Sequence, residues 1–137
     1  MHHFQIKCDK PGKLYPNTPH FFVLCKGENS GKPSKEPFVN SFVVICKTPE
    51  ARQHGFFLAL TMHEGTQVRP QLVGSVIPFI RVDDYRKLFR YHFERVQKNP
   101  EKWLQHMEAF RKLSQLQDHM NKQMQLIQRA KNAYCHI

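Results

Sequence analysis

After Pro100 the chain runs to its end without a single Gly or Pro. Nothing in that stretch breaks or kinks a helix. Asn99-Pro100-Glu101 supplies a start signal, with Asn99 as cap and Pro100 in the first turn. The last third of this 137-residue chain is therefore predicted to be one long amphipathic helix. Leu113, Met120, Ile127 and Tyr134 recur every seven residues, and Ala109, Leu116, Gln123 and Ala130 fill the second seam position. Phe110, Met124 and Trp103 widen the stripe on one side, and His106 and Gln123 interrupt the seam. A stripe this wide suits packing on the protein's own domain. A helix of roughly 35 residues, however, is about 50 Å long, more than a small domain covers. Part of it is expected to meet a second chain, a homodimer mate or a partner protein, through Leu113, Leu116, Met120 and Ile127.

The remaining residues read as alternating strands and helices. Phe4–Cys8 alternates as an opening strand, and residues 9–19 form a loop rich in Pro and Gly. His20–Lys26 and Asn40–Lys47 are apolar on both faces, as buried strands are. Between them, Gly27–Pro37 is an exposed loop with two Gly and two Pro. Thr48-Pro49-Glu50 starts a helix that ends at Gly65, with Phe56, Phe57, Leu60 and Met62 toward the sheet and Gly55 as a local weakness. Residues 67–73 and 76–82 read as two short strands around Gly74-Ser75. Asp83 caps a further helix whose face carries Tyr85, Leu88, Phe89, His92, Phe93 and Val96. The fold expected is α+β: a small mixed or antiparallel sheet packed by helices, with the long C-terminal helix appended. Residues 1–98 form the globular part and 99–137 the helix, within one structural domain overall.

The net charge is +10, and its distribution is uneven. Residues 85–137 hold 11 Lys and Arg against 4 Asp and Glu, whereas residues 1–84 hold 10 against 7. Such a balance favours an acidic partner, of which double-stranded DNA is one, or else a solvated basic face. Lys26, Lys32 and Lys35 share the Gly27–Pro37 region with Asn29 and Ser30, a set able to touch phosphates and base edges. The same run is one residue short of a phosphate-binding loop, and Pro33 stands where that loop needs a hydroxyl. Arg81, Arg86, Lys87 and Arg90 form a second basic group, and Arg111, Lys112, Lys122, Arg129 and Lys131 line the last helix.

No pattern names a reaction, a metal or a cofactor. Nine His are scattered, including His2-His3, and His63-Glu64 lacks a second His at the zincin spacing. Asp83-Asp84 reads as a pair of helix-start residues rather than a catalytic dyad. Cys8, Cys25, Cys46 and Cys135 lack metal spacing, and Cys25 and Cys46 lie in apolar runs as buried thiols. With no apolar run long enough for a bilayer and no signal-type N-terminus, a soluble cytoplasmic protein without a membrane role is expected.

From about Phe56 onward, the order of features resembles half of a type I restriction–modification specificity subunit. An apolar helix over Gly55–Glu64 precedes a basic strand and the Gly74-Ser75-Val76-Ile77-Pro78-Phe79-Ile80 run. Asp83-Asp84-Tyr85-Arg86-Lys87-Leu88 and a long Leu- and Gln-rich helix follow. That family carries two target-recognition domains, where this chain has room for one, and a Pro-rich stretch where Phe89–Asn99 is helical in pattern. The front half resembles small uncharacterised bacterial proteins associated with mobile elements. The first resemblance implies a non-catalytic DNA-binding module, with loops reading the major groove and the helix as a dimer or partner arm. It implies DNA contacts from Lys26, Asn29, Ser30, Lys32 and Lys35, and from Arg69 and Ser75 near the Gly-Ser run. The competing expectation is a protein-interaction or assembly module that docks through the helix and has no nucleic-acid role.

Overall fold

The computed structural model describes residues 4–136, and His2-His3 lies outside them. Four strands, β1 (Phe4–Cys8), β2 (His20–Leu24), β3 (Pro33–Ser34) and β4 (Ser41–Cys46), form an antiparallel sheet in the order β1-β4-β2-β3. Helices α1 (Pro49–Glu64), α2 (Val82–Gln97) and α3 (Pro100–Cys135) complete the α+β fold. The chain divides into two compact units, residues 1–97 and 98–137.

In the first unit β4 is central, paired with β1 (Ile6 opposite Val44) and with β2 (Phe22 opposite Val43). Strand period puts Phe4, Ile6, Phe21, Val23, Phe42, Val44 and Cys46 on one face. Helices α1 and α2 cover that face. Phe56 of α1 meets Phe21 edge-on, Tyr85 of α2 lies 5.6 Å from Phe42, and Phe89 and Phe93 meet the ring of Phe4. The opposite face is partly roofed by the 9–19 loop, whose Tyr15 packs on His20 and Phe22. Val43 and Val44 are therefore both fully buried, which explains why β4 is apolar at successive positions.

Thr48 caps α1 by accepting a hydrogen bond from the Ala51 N–H, as its sequence predicts. The buried face of α1 includes Met62 as expected, and Phe56 meets the sheet, but its closest positions are others. It consists of Gly55, Leu58, Ala59 and Met62, while Phe56, Phe57 and Leu60 are half-buried. The small residues 55 and 59 let the helix seat closely on the phenyl rings of the sheet. A Cβ at Gly55 would lie 2.5 Å from Cε1 of Phe4 and 3.3 Å from Cε1 of Phe21. Gly55→Ala gains about 1 kcal/mol of helix propensity against an overpacking cost of about 1–3 kcal/mol. The expected outcome is a small net loss of stability by urea denaturation; a more stable variant would show that Phe4 yields without cost.

Two further corrections concern loops. The Gly27–Pro37 region is not wholly exposed, since Ser30, Gly31 and Pro33 are buried and Pro33–Ser34 joins the sheet opposite Val23 and Phe22. The two strands expected over 67–82 reduce to one turn of 3-10 helix at Arg69–Gln71 and a single bridge of Val73 to Phe79. Pro70 and Pro78 each lack a backbone donor, so a longer ladder is interrupted on both arms. Helix α2 begins one residue before Asp83, which sits in its first turn and accepts a hydrogen bond from Arg86.

In the second unit, Asn99 caps α3 by accepting from the Lys102 N–H. The helix then runs unbroken through Ser114 to Cys135, 36 residues, or about 54 Å. None of its residues is buried.

Candidate nucleic-acid interface

The basic turn after β2 is built by its own backbone. Gly31 N–H donates to Leu24 O (2.6 Å) and Leu24 N–H to Lys32 O, which closes the turn. Within it, Ser30 N–H and Lys32 N–H donate to Gly27 O and Asn29 O. The Ser30 hydroxyl also donates to Gly27 O at 2.6 Å, and the residue is 3% exposed. Ser30 thus braces the turn from inside rather than offering its hydroxyl to a ligand. Lys26, Asn29, Lys32 and Lys35 are exposed.

A distant segment of the chain, residues 68–80, is fastened to this turn. Gly27 N–H donates to Pro78 O (2.7 Å), Ile80 N–H donates to Cys25 O (3.0 Å), and Lys26 bridges to Phe79. Gly31 lies against the buried side chain of Val68, the residue before Arg69. The turn bearing Lys26 and Lys32 and the segment bearing Arg69, Ser75 and Arg81, all exposed, are in this way joined at one end of the sheet, a basic edge of the fold. Lys35 follows β3. The turn also contains an acid, Glu28.

Sequence reasoning missed two features of this edge. One is its apolar tip: Val76 is 89% and Ile77 53% exposed, on the loop closed by the Val73–Phe79 bridge. Residues 76–82 read as a short strand, and only Gly74 and Pro78 hint at a tip. The other is His63, at the end of α1. It interacts with the backbone of Ser30 and with Lys32, and its pKa is lowered, chiefly by burial and further by the Lys32 charge, despite opposing effects of Glu64 and the Ser30 backbone. Protonating it would place a second cation beside Lys32.

Charge balance elsewhere is sparse. Among the described residues ion pairs engage only Arg86 with Asp83, and Arg111 and Lys112 with Glu108. Most Lys and Arg among the described residues thus form no close ion pair with a carboxylate. Arg86 is also used structurally, with its Nε donating to Ile6 O at 2.7 Å. It borders a cleft of about 250 Å³ at the opposite sheet edge, lined by Phe4, Phe89, Phe93 and Arg90. That volume lies below the range of ordinary small-molecule sites.

The four cysteines are free. Cys46 is buried, and burial raises its thiol pKa to about 12, so it is an inert core residue. Cys25 is half-buried, and Cys8 and Cys135 are exposed. Among the described residues no three His, Cys, Asp or Glu side chains gather in a group able to hold a metal ion. No helix among them is long and apolar enough to cross a membrane.

On α3 the four residues expected at an interface all face solvent. Leu113 is 64% exposed, and Leu116, Met120 and Ile127 are each 55–56% exposed. Met124 and Tyr134 continue the stripe, and Leu104 and Leu126 add exposed apolar surface off it.

A family model matches residues 6–137, nearly the whole chain. The chain belongs to DUF6943, a family of unknown function. Its match spans both units, so the basic edge and α3 both belong to the DUF6943 region. No curated protein and no solved structure matches the chain.

Proposed function

We propose that this DUF6943 protein is a non-catalytic module that binds double-stranded DNA through the edge formed by residues 26–35 and 68–81. The observation carrying the reading is the fastening of the Lys26–Lys32 turn to the segment of Arg69 and Arg81. Cations from distant parts of the sequence are tied together in this way, and among the described residues Lys26, Lys32, Arg69 and Arg81 form no ion pair. Phosphate recognition needs such an array, and Asn29 and Ser75 add neutral hydrogen-bonding groups beside it. The resemblance of the chain from about Phe56 onward to a restriction-system target-recognition domain is consistent with this reading and implies contacts from Lys26, Asn29, Lys32, Lys35, Arg69 and Ser75 of this region.

The test is binding to random duplex DNA across a salt series. Affinity is expected to fall steeply with salt, with a log–log slope of about −0.9 per phosphate contact. The triple variant Lys26→Ala/Lys32→Ala/Arg69→Ala removes three exposed side chains without touching the core. Its slope should be shallower by about 2–3. Absence of binding at low salt, or an unchanged slope in the triple variant, would overturn the proposal.

A second reading is favoured by a different observation: the exposed apolar stripe of α3. A helix with no buried residue and this much apolar surface suits an assembly arm, with or without DNA on the globular unit.

A further inference from the structure

We infer that α3 pairs antiparallel with the α3 of a second copy, in one definite register. The inference is independent of DNA binding. It starts from the sizes of the seam residues. One seam position repeats as Leu113, Met120, Ile127 and Tyr134, all large; the other as Ala109, Leu116, Gln123 and Ala130, of which two are the smallest side chains available. In a parallel, in-register pair each residue faces its own copy. Tyr134 would then crowd Tyr134, while Ala109 and Ala130 would each face an alanine across a void and Gln123 would be buried against Gln123.

Antiparallel pairing sets each seam position against the other. In the register that aligns the two stripes, Leu113 faces Ala130 of the second copy, Leu116 faces Ile127, and Met120 faces Gln123. The same register brings Tyr134 opposite Ala109 at the end. Each large residue except Leu116 and Ile127 meets a smaller or flexible one, so the layer volumes vary less than in the parallel pair, with neither a Tyr–Tyr nor an Ala–Ala layer. Leu116 and Ile127 form the bulkiest apolar layers. The match is self-complementary, since one register satisfies all four kinds of layer twice, as a two-fold contact between identical chains must.

Charge points the same way. The acids of α3 are Glu101, Glu108 and Asp118. From His119 onward there are only bases, Lys122, Arg129 and Lys131. A parallel pair would hold two base-only halves side by side. In the inferred register residues 125–135, with Arg129 and Lys131, lie opposite residues 108–118 of the second copy, which hold Glu108 and Asp118 beside Arg111 and Lys112, and the helix dipoles oppose one another. The seam from Ala109 to Tyr134 covers almost four heptads, the length at which such a pattern supports a stable coil.

Disulfide trapping in the full-length chain tests both the occupant and the direction. The background carries Cys8→Ser and Cys135→Ser, which remove the two exposed thiols. Leu113→Cys and Ala130→Cys are made separately in it, distinguished by tag size, and oxidised alone and mixed. Both positions are exposed, so folding is not at stake, and circular dichroism checks it. The inferred register separates like positions in the two copies by 17 residues, or about 25 Å along the axis, whereas a disulfide spans a Cα separation of roughly 7 Å at most. A cross-linked dimer is therefore expected only in the mixture. Cross-linking of each variant with itself would overturn the antiparallel arrangement. A monomeric mass for the unmodified chain at tens of micromolar in sedimentation, with no cross-link in any sample, would overturn self-association altogether. Neither result bears on the salt series, so the two proposals fail separately.

Discussion

Tyr85→Ala is expected to cost about 3–5 kcal/mol of folding stability, the range for removing a buried aromatic ring. Tyr85 is fully buried and is the largest side chain at the meeting point of α2 and the sheet, against Phe42 and Phe89. Removing it opens a cavity between two elements that are themselves covered, so little collapse can fill the space. Tyr85→Phe should act in the opposite direction. The hydroxyl has no hydrogen-bond partner among the described residues, and burial pushes its pKa upward. A buried, unsatisfied hydroxyl is destabilising by about 1–3 kcal/mol, so its removal should raise the midpoint of urea unfolding. A Tyr85→Phe variant less stable than the parent would mean that the hydroxyl has a partner, and the packing account of this position would be wrong.

Gly31→Ala is expected to cost about 2–4 kcal/mol of folding stability. Two costs combine. Gly31 has φ +96°, a conformation that side chains disfavour, and a Cβ there would come within 2.7–3.0 Å of three side-chain carbons of Val68. Val68 is 2% exposed and branched at Cβ, so it has little room to retreat. Val68→Ala in the same chain should recover part of the steric loss but none of the backbone strain. Thermal denaturation of the two single variants and the double variant measures this coupling. Strict additivity would show that Gly31 and Val68 do not press on one another. Because this contact fastens the basic turn to the Arg69 segment, the variant should also weaken DNA binding if the proposed interface is right.

Local chemistry made some elements legible and left others hidden. Thr48-Pro49 and Gly65 delimit α1, and Asn99-Pro100 starts α3, because caps act within one turn of chain. The apolar runs of β2 and β4 betray burial on both faces. Strand β3 escapes notice because two residues carry no period, and Pro33 argues against a strand. The close face of α1 is misread because periodicity weighs large side chains, whereas Gly55 and Ala59 make the contact by being small. For the candidate site, the exposed lysines are evident from composition. That residues 26–31 are bonded to 68–80 is not, since this pairing joins distant segments and leaves no local signature. Nor does a polar loop composition reveal that Ser30 faces inward.

The hydrogen bond from Arg86 to Ile6 spans 80 positions of the sequence. Strand β1 is one margin of the sheet, and an unoccupied carbonyl there is a template on which another chain's strand can add. The guanidinium occupies that acceptor from the α2 side. At the other margin β3 is only two residues long, too short to seed a ladder, and lysines flank it at positions 32 and 35. Both margins thus resist aggregation by strand addition, leaving side-chain surfaces rather than backbone edges as the places where this protein meets others.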